Sequence, residues 1–266
     1  MKTVYLKLGG SLITDKSSER VFRDEVVCRL GEEIRSALDE KPMRLLIGHG
    51  AGCFGHVPAK RYQVKRGLRG GGGWEGYSET RRAVIELNGL VLEAFARADL
   101  RPIAVQPSAI ALARNGEIVK MDTTVIERIF ESGQIPMIFG DAVLDEDLGF
   151  TIVSTEGFFR HLAGVFPPSS IVMACDVDGV FNSDPNVDPD AWRIPRIDSK
   201  NIDEVLEGLT EGKVSDVTGG MAGKVRAAYD LACEVMDCEV RIVTGVIADR
   251  VRDALTGRGG GTRVRA

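Results

Sequence analysis

Val4-Tyr5-Leu6-Lys7-Leu8-Gly9-Gly10-Ser11 decides the fold. The run is apolar except for Lys7 and stops abruptly at two glycines, as a short strand buried on both faces does. The same pattern recurs. Residues 44–47 are apolar after Arg44 and lead into Gly48, and residues 102–105, 135–139, 170–175, 240–243 and 262–264 read as further short strands. Helical spacing fills the gaps. Val26, Val27, Leu30, Ile34 and Leu38 mark one helix, and residues 78–100 a long one with Ser78 as its N-cap. Residues 123–131 read as a short helix. Residues 221–236 read as a helix with Val225, Ala228, Leu231, Ala232 and Val235 on one face. Asn115-Gly116 predicts a hairpin turn leading into 118–121. Strands alternating with helices give an α/β fold with an open, mainly parallel central sheet. No linker or repeat divides the chain, so residues 1–266 read as one unit.

Composition narrows the function classes. Of the 266 residues 44% are hydrophobic and 27% charged, which excludes a disordered chain. The net charge of -5 predicts no nucleic-acid partner. No apolar run suits a membrane span, and the first residues enter a strand without a signal-peptide pattern. Five cysteines without a C-x-x-C pair read as reduced thiols of a cytoplasmic protein, and three histidines make a multi-histidine metal site a poor reading.

Four segments carry chemistry. In Lys7-Leu8-Gly9-Gly10-Ser11, with Lys16 beyond, glycines after a strand let backbone N–H groups approach an anion flanked by two lysines. In Gly48-His49-Gly50-Ala51-Gly52-Cys53-Phe54-Gly55-His56, four glycines again follow a strand, without the Gly-Lys-Ser/Thr of a Walker A loop. His56 closes that loop as a hydrogen-bond donor to an anion, whereas His49 reads as packed and Cys53 as a small filler. In Cys175-Asp176-Val177-Asp178-Gly179-Val180, paired acids after a strand suit a nucleotide edge better than a metal. Ser215-Asp216-Val217-Thr218-Gly219-Gly220-Met221-Ala222-Gly223-Lys224 opens a helix, and a lysine in the first turn opposes the macrodipole unless an anion binds there. Each segment alone could be an ordinary turn with solvated lysines. Ligands of open α/β sheets bind beyond the carboxyl ends of the strands, so the four should converge.

In this order, and with Val105-Gln106-Pro107-Ser108, Gly140-Asp141 and Gly261-Thr262-Arg263-Val264, the motifs resemble the amino acid kinase superfamily along nearly the whole chain. His56 makes the chain similar to its isopentenyl phosphate kinase branch; the fosfomycin kinases, which share the histidine, are the competing branch. One departure is Ser154-Thr155-Glu156, where the family usually has Ser-Gly-Asp. The resemblance implies a three-layer α/β/α sandwich, an acceptor-binding N-terminal part and an ATP-binding C-terminal part. It implies transfer of the ATP γ-phosphoryl group to isopentenyl phosphate, with Mg²⁺ carried by ATP rather than by protein ligands, and a homodimer. By the same likeness Lys7, Lys16, His56 and Lys224 are catalytic, with Lys16 closing over the transferring group. Lys7, Gly9, Gly10, Ser11, Gly52, Asp176, Gly220 and Lys224 hold ATP. Ala51, Gly52, His56 and Thr155 hold the acceptor, the Thr155 hydroxyl standing in for the usual glycine. The acceptor tail would lie near the 78–100 helix, although Ala83, Val84, Leu87 and Val91 read first as core. The non-enzyme alternative, a nucleotide-sensing module, is disfavoured by four retained cationic or donor residues. Glycines 70–73 predict a mobile loop.

Overall fold

Side chains alternate along a strand, and Thr3–Leu8 uses that alternation to divide the core. Val4, Leu6 and Leu8 face one hydrophobic layer, with Ile34, Leu45, Phe95 and Val251. Tyr5 faces the other, with Leu46, Phe159, Met173 and Leu231. Lys7 shares the Tyr5 side. The computed structural model describes residues 1–15, 20–183, 185, 187–211, 220–235 and 237–266. Lys16, the 215–219 part of the fourth motif, and Met236 lie outside the described residues.

One eight-stranded sheet organises the molecule. Its order is Arg196–Ile197, Thr262–Val264, Glu239–Thr244, Ser170–Cys175, Thr3–Leu8, Arg44–His49, Pro136–Phe139, Ile103–Ala104. The last six of these run parallel. Thr262–Val264 is antiparallel to Glu239–Thr244 and parallel to Arg196–Ile197, so the chain's last strand is inserted between two earlier ones. The helices Asp24–Glu40, Gly73–Arg97 and Arg250–Thr256 cover the Leu6 face. Thr124–Glu131, Thr155–Ala163, Ile202–Glu211 and Gly220–Glu234 cover the Tyr5 face. This is the α/β/α sandwich expected.

A four-stranded sheet stands beside it, ordered Glu117–Met121, Ala111–Arg114, Asp141–Asp145, Gly149–Val153. Asn115 and Gly116 both have positive φ, as the hairpin turn requires. The second arm of this sheet, Asp141–Asp145 with Gly149–Val153, is absent from the strands read in the sequence. The Asp145 carboxylate accepts the N–H groups of Asn115, Gly116, Asp147 and Leu148, tying both turns together.

One boundary needs correction. The long helix starts at Gly73, not Ser78. Ahead of it Val64–Gly70 forms 3₁₀ turns kinked at Gly67 (φ +66°), and a Cβ on Gly72 or Gly76 would overlap Tyr62. Those glycines permit close packing, Gly72 on the Tyr62 backbone and Cβ and Gly76 on its Cβ and ring.

Candidate functional site

Parallel strands bring their carboxyl ends to one edge. Leu8 lies level with His49 and Ala174, His49 with Phe139, and Thr244 with Cys175. Past that edge the following turns stay bonded to their neighbours. Gly9 N–H donates to Ala174 C=O (2.8 Å), Gly50 N–H to Leu8 C=O (2.9 Å), Gly140 N–H to His49 C=O (3.1 Å) and Gly245 N–H to Cys175 C=O (2.8 Å). Turns far apart in sequence thus form one continuous rim.

The first two glycine turns touch. A Cβ on Gly10 would stand 2.5 Å from Gly52 N, and one on Gly50 2.8 Å from Gly10 N. Backbone meets backbone, so neither position has room for a side chain. Thr14, buried and absent from every motif read above, locks the contact. Its hydroxyl donates to Gly10 C=O (2.8 Å) and accepts from Cys53 N–H (3.1 Å). Ser11 belongs to the single helical turn Gly10–Ile13 beside it. The second segment is a loop only as far as Ala51, because a helix, Gly52–Arg61, begins there. His56 therefore sits on a helix, exposed, one turn beyond Gly52 and on the same face. His49 is fully buried and stacked on Phe139, with Nδ1 3.0 Å from Gly50 C=O and Nε2 3.2 Å from Asn88. Burial holds its imidazole below the ordinary range, hence neutral.

The cations come from both ends of the chain. Lys7 forms an ion pair with Glu156, both largely buried. Burial alone would raise the Glu156 carboxyl, but the Lys7 charge and its hydrogen bonds outweigh this and hold it below the usual range. Glu156 is the acid of the divergent Ser-Thr-Glu triplet, and no sequence signal paired it with Lys7; a sheet crossover does. Lys224 lies one turn into Gly220–Glu234 with Nζ 3.6 Å from Asp176 Oδ1. Both lysines act on the buried Cys175 thiol: burial pushes it up, and Lys224 and Lys7 each draw it back. Lys7 is level with Met173 and Lys224 Nζ lies beside Asp176, so both approach the carboxyl end of Ser170–Cys175.

Thr155 departs from expectation. It is 1% exposed, its methyl group fills the space a Cβ on Gly48 would need, and its hydroxyl donates to His49 C=O (2.7 Å). The single hydroxyl hydrogen is engaged inside the fold, so this side chain does not replace the family glycine as a donor to the acceptor. Asp141 was flagged only as part of a matching patch. It is buried, accepts from Ser108 N–H (3.2 Å) and Ala142 N–H (2.8 Å), and has its carboxyl pushed up by burial against those bonds. Arg81 Nε donates to the Ser108 hydroxyl (3.1 Å). Ala83, Leu87 and Val91 belong to the core, as their bland reading held. A groove of about 480 Å³ between Asp24–Glu40 and Gly73–Arg97, lined by Glu32, Arg35, Asp39 and Asp99, contains none of the predicted site residues.

A rim of glycine turns with lysines at one strand end is what phosphate handling requires, and relatives agree. The sequence profile described as the amino acid kinase family matches residues 2–244. The chain is 34% identical over 262 residues to the isopentenyl phosphate kinase of Methanothermobacter thermautotrophicus, covering 96% of this chain and 95% of that one. It is 32% identical over 230 residues to that of Arabidopsis thaliana, covering 81% and 69%. A solved structure described as isopentenyl phosphate kinase superposes with a TM-score of 0.83 at 31% identity, over 98% of this chain and 99% of that one. Fold, rim and sequence together place the chain in the amino acid kinase family, within its isopentenyl phosphate kinase group.

Proposed function

We propose that this protein transfers the γ-phosphoryl group of ATP to isopentenyl phosphate, giving isopentenyl diphosphate and ADP. The observation that carries the reading is that Lys7 and Lys224 both approach the carboxyl end of Ser170–Cys175, beside the Gly10–Gly52 contact. Relatives named isopentenyl phosphate kinase supply the acceptor's identity.

The acceptor is already an anion, so its oxygen attacks without a general base. The obstacle is charge: at about 5 Å and an effective dielectric of about 20, each pair of unit charges repels by roughly 3 kcal/mol. Lys7 and Lys224 offset that repulsion and stabilise an in-line, loose transition state. Glu156 and Asp176 hold the two ammonium groups at the rim. The N–H groups of Gly10 and Gly52 and the Ser11 hydroxyl cradle phosphate oxygens, while Gly9, whose N–H is taken by Ala174 C=O, contributes only a bare backbone; Asp176 and Gly220 border the nucleotide, and Ala51, Gly52 and His56 hold the acceptor phosphate. Lys16 closes over the transferring group.

Among the described residues no group of three or more His, Cys, Asp and Glu side chains is arranged for a metal ion, and the rim acids Glu156 and Asp176 already pair with lysines. In this reading Mg²⁺ would be held chiefly by ATP oxygens, where it would neutralise phosphate charge. We further read residues 1–266 as one catalytic unit, working as a cytoplasmic homodimer. No helix of the described residues is long and apolar enough to cross a membrane.

Acceptor profiling with purified protein, ATP and Mg²⁺ tests the assignment. Efficient turnover of isopentenyl phosphate is the expected result. Turnover of fosfomycin with none of isopentenyl phosphate would replace the acceptor, and no ATP-dependent phosphorylation of any acceptor would favour a sensing module.

A further inference from the structure

Glu33 is a buried carboxylate, 5% exposed, on the outer helix Asp24–Glu40 and outside every motif. Its Oε2 accepts the N–H groups of Val251 (3.1 Å) and Arg252 (3.3 Å), the first turn of Arg250–Thr256. Its Oε1 pairs with Arg29, one turn earlier on the same helix. Arg29 in turn donates to the carbonyls of Gly245 and Val246, the latter at 3.2 Å. Two side chains from the amino-terminal half thus grip both ends of the 245–252 turn.

That turn follows Thr244 at the carboxyl edge and touches the site on two sides. A Cβ on Gly245 would overlap Leu12, which belongs to the Gly10–Ile13 turn. Arg250 Nη2 lies 3.7 Å from Asp178 Oδ2, two residues beyond the Lys224 partner Asp176. Between these points Asp249 takes the left-handed conformation, φ +66°, which is strained for a residue with a side chain and persists only where its surroundings enforce it. A buried charge is costly unless paired and hydrogen-bonded, and apolar packing would hold two helices together without that cost. A carboxylate accepting two N–H groups adds what apolar packing lacks, a fixed orientation of the turn.

We propose that Arg29 and Glu33 are positioning residues for the nucleotide: through the 245–252 turn they set the Gly10–Ile13 turn and the Asp176–Lys224 pair in register for the ATP triphosphate. Only the identity of the ligand rests on the phosphotransfer reading above.

The test is ATP binding by calorimetry on the full chain, with steady-state kinetics alongside. Arg29→Lys and Glu33→Gln should each weaken ATP binding about tenfold, the size of one lost charge-assisted hydrogen bond. The KM for isopentenyl phosphate should stay within about twofold, a split that general loosening would not produce. The double variant should be little worse than either single one, since both act through one turn. Ile34→Val, a core truncation beside Glu33, serves as the comparison. It should lower the melting temperature while leaving ATP affinity intact. Should Glu33→Gln not fold, Arg29→Lys decides. Unchanged ATP affinity in the clamp variants, or an equal loss in Ile34→Val, overturns the proposal. If no acceptor is phosphorylated but ATP affinity still separates clamp from core variants, the clamp stands and the acceptor assignment falls.

Discussion

Removing the ammonium of Lys7 leaves Glu156 as a buried carboxylate without its counter-charge. Lys7→Met should therefore lower kcat by about a hundredfold or more, through roughly 3–4 kcal/mol of lost charge stabilisation, and should also destabilise the fold. Adding Glu156→Gln should recover the denaturant midpoint but not turnover, which separates the two roles of the pair. His56→Ala should lower kcat/KM for the acceptor by on the order of a hundredfold with ATP affinity kept. Acid sensitivity also belongs to single residues. His49 and Glu156 both titrate below their ordinary values, 6.5 and 4.5, so the unfolded chain binds their protons first. Their stabilisation is complete above those values and is lost as pH falls. The urea midpoint should decline first below about 6.5, from His49 with His161, and again below about 4.5, from Glu156 with Glu239 and Asp145, whose carboxyls are also held low. The second step should shrink in Glu156→Gln without disappearing. Lys7 and His56 stand out in the sequence because glycine turns surround them. Glu156 does not, because its pairing depends on a strand and a helix 149 residues apart.

At the scale of elements, turns and strands were legible to different degrees. Ser170–Cys175 and Thr262–Val264 match their sequence reading residue for residue, since buried strands are short apolar runs with sharp ends. Helix starts were harder: Gly73 opens a helix without a side-chain cap, so Ser78, a good capping residue, drew the boundary too late. The convergence of the glycine turns was legible from topology, but the part that locks them was not. Thr14 is an ordinary threonine in sequence, and only the fold sets its hydroxyl between Gly10 C=O and Cys53 N–H. Thr14→Val keeps the shape and removes both bonds, and should cost about 1–2 kcal/mol in urea unfolding. Gly10→Ala should leave the fold cooperative yet abolish turnover, because its Cβ would force the two turns apart.

Across the whole molecule the rim unites segments from residue 7 to residue 252, so a ligand bound there should stabilise every layer at once. ATP with Mg²⁺ at about a hundred times its Kd should add roughly 2.7 kcal/mol, raising the melting temperature by about 5–10 °C in calorimetry. Lys224→Met should remove most of that increase. The inserted final strand has a further consequence, for biosynthesis. Until Thr262–Val264 emerges from the ribosome, Glu239–Thr244 keeps a bare hydrogen-bonding edge and Arg196–Ile197 has no strand beside it. A nascent chain halted before that point exposes an open template for aberrant pairing with other chains. Completion of the sheet thereby waits on residues 262–264, and a chain ending before Thr262 should sediment as aggregate where the longer chain stays in the supernatant.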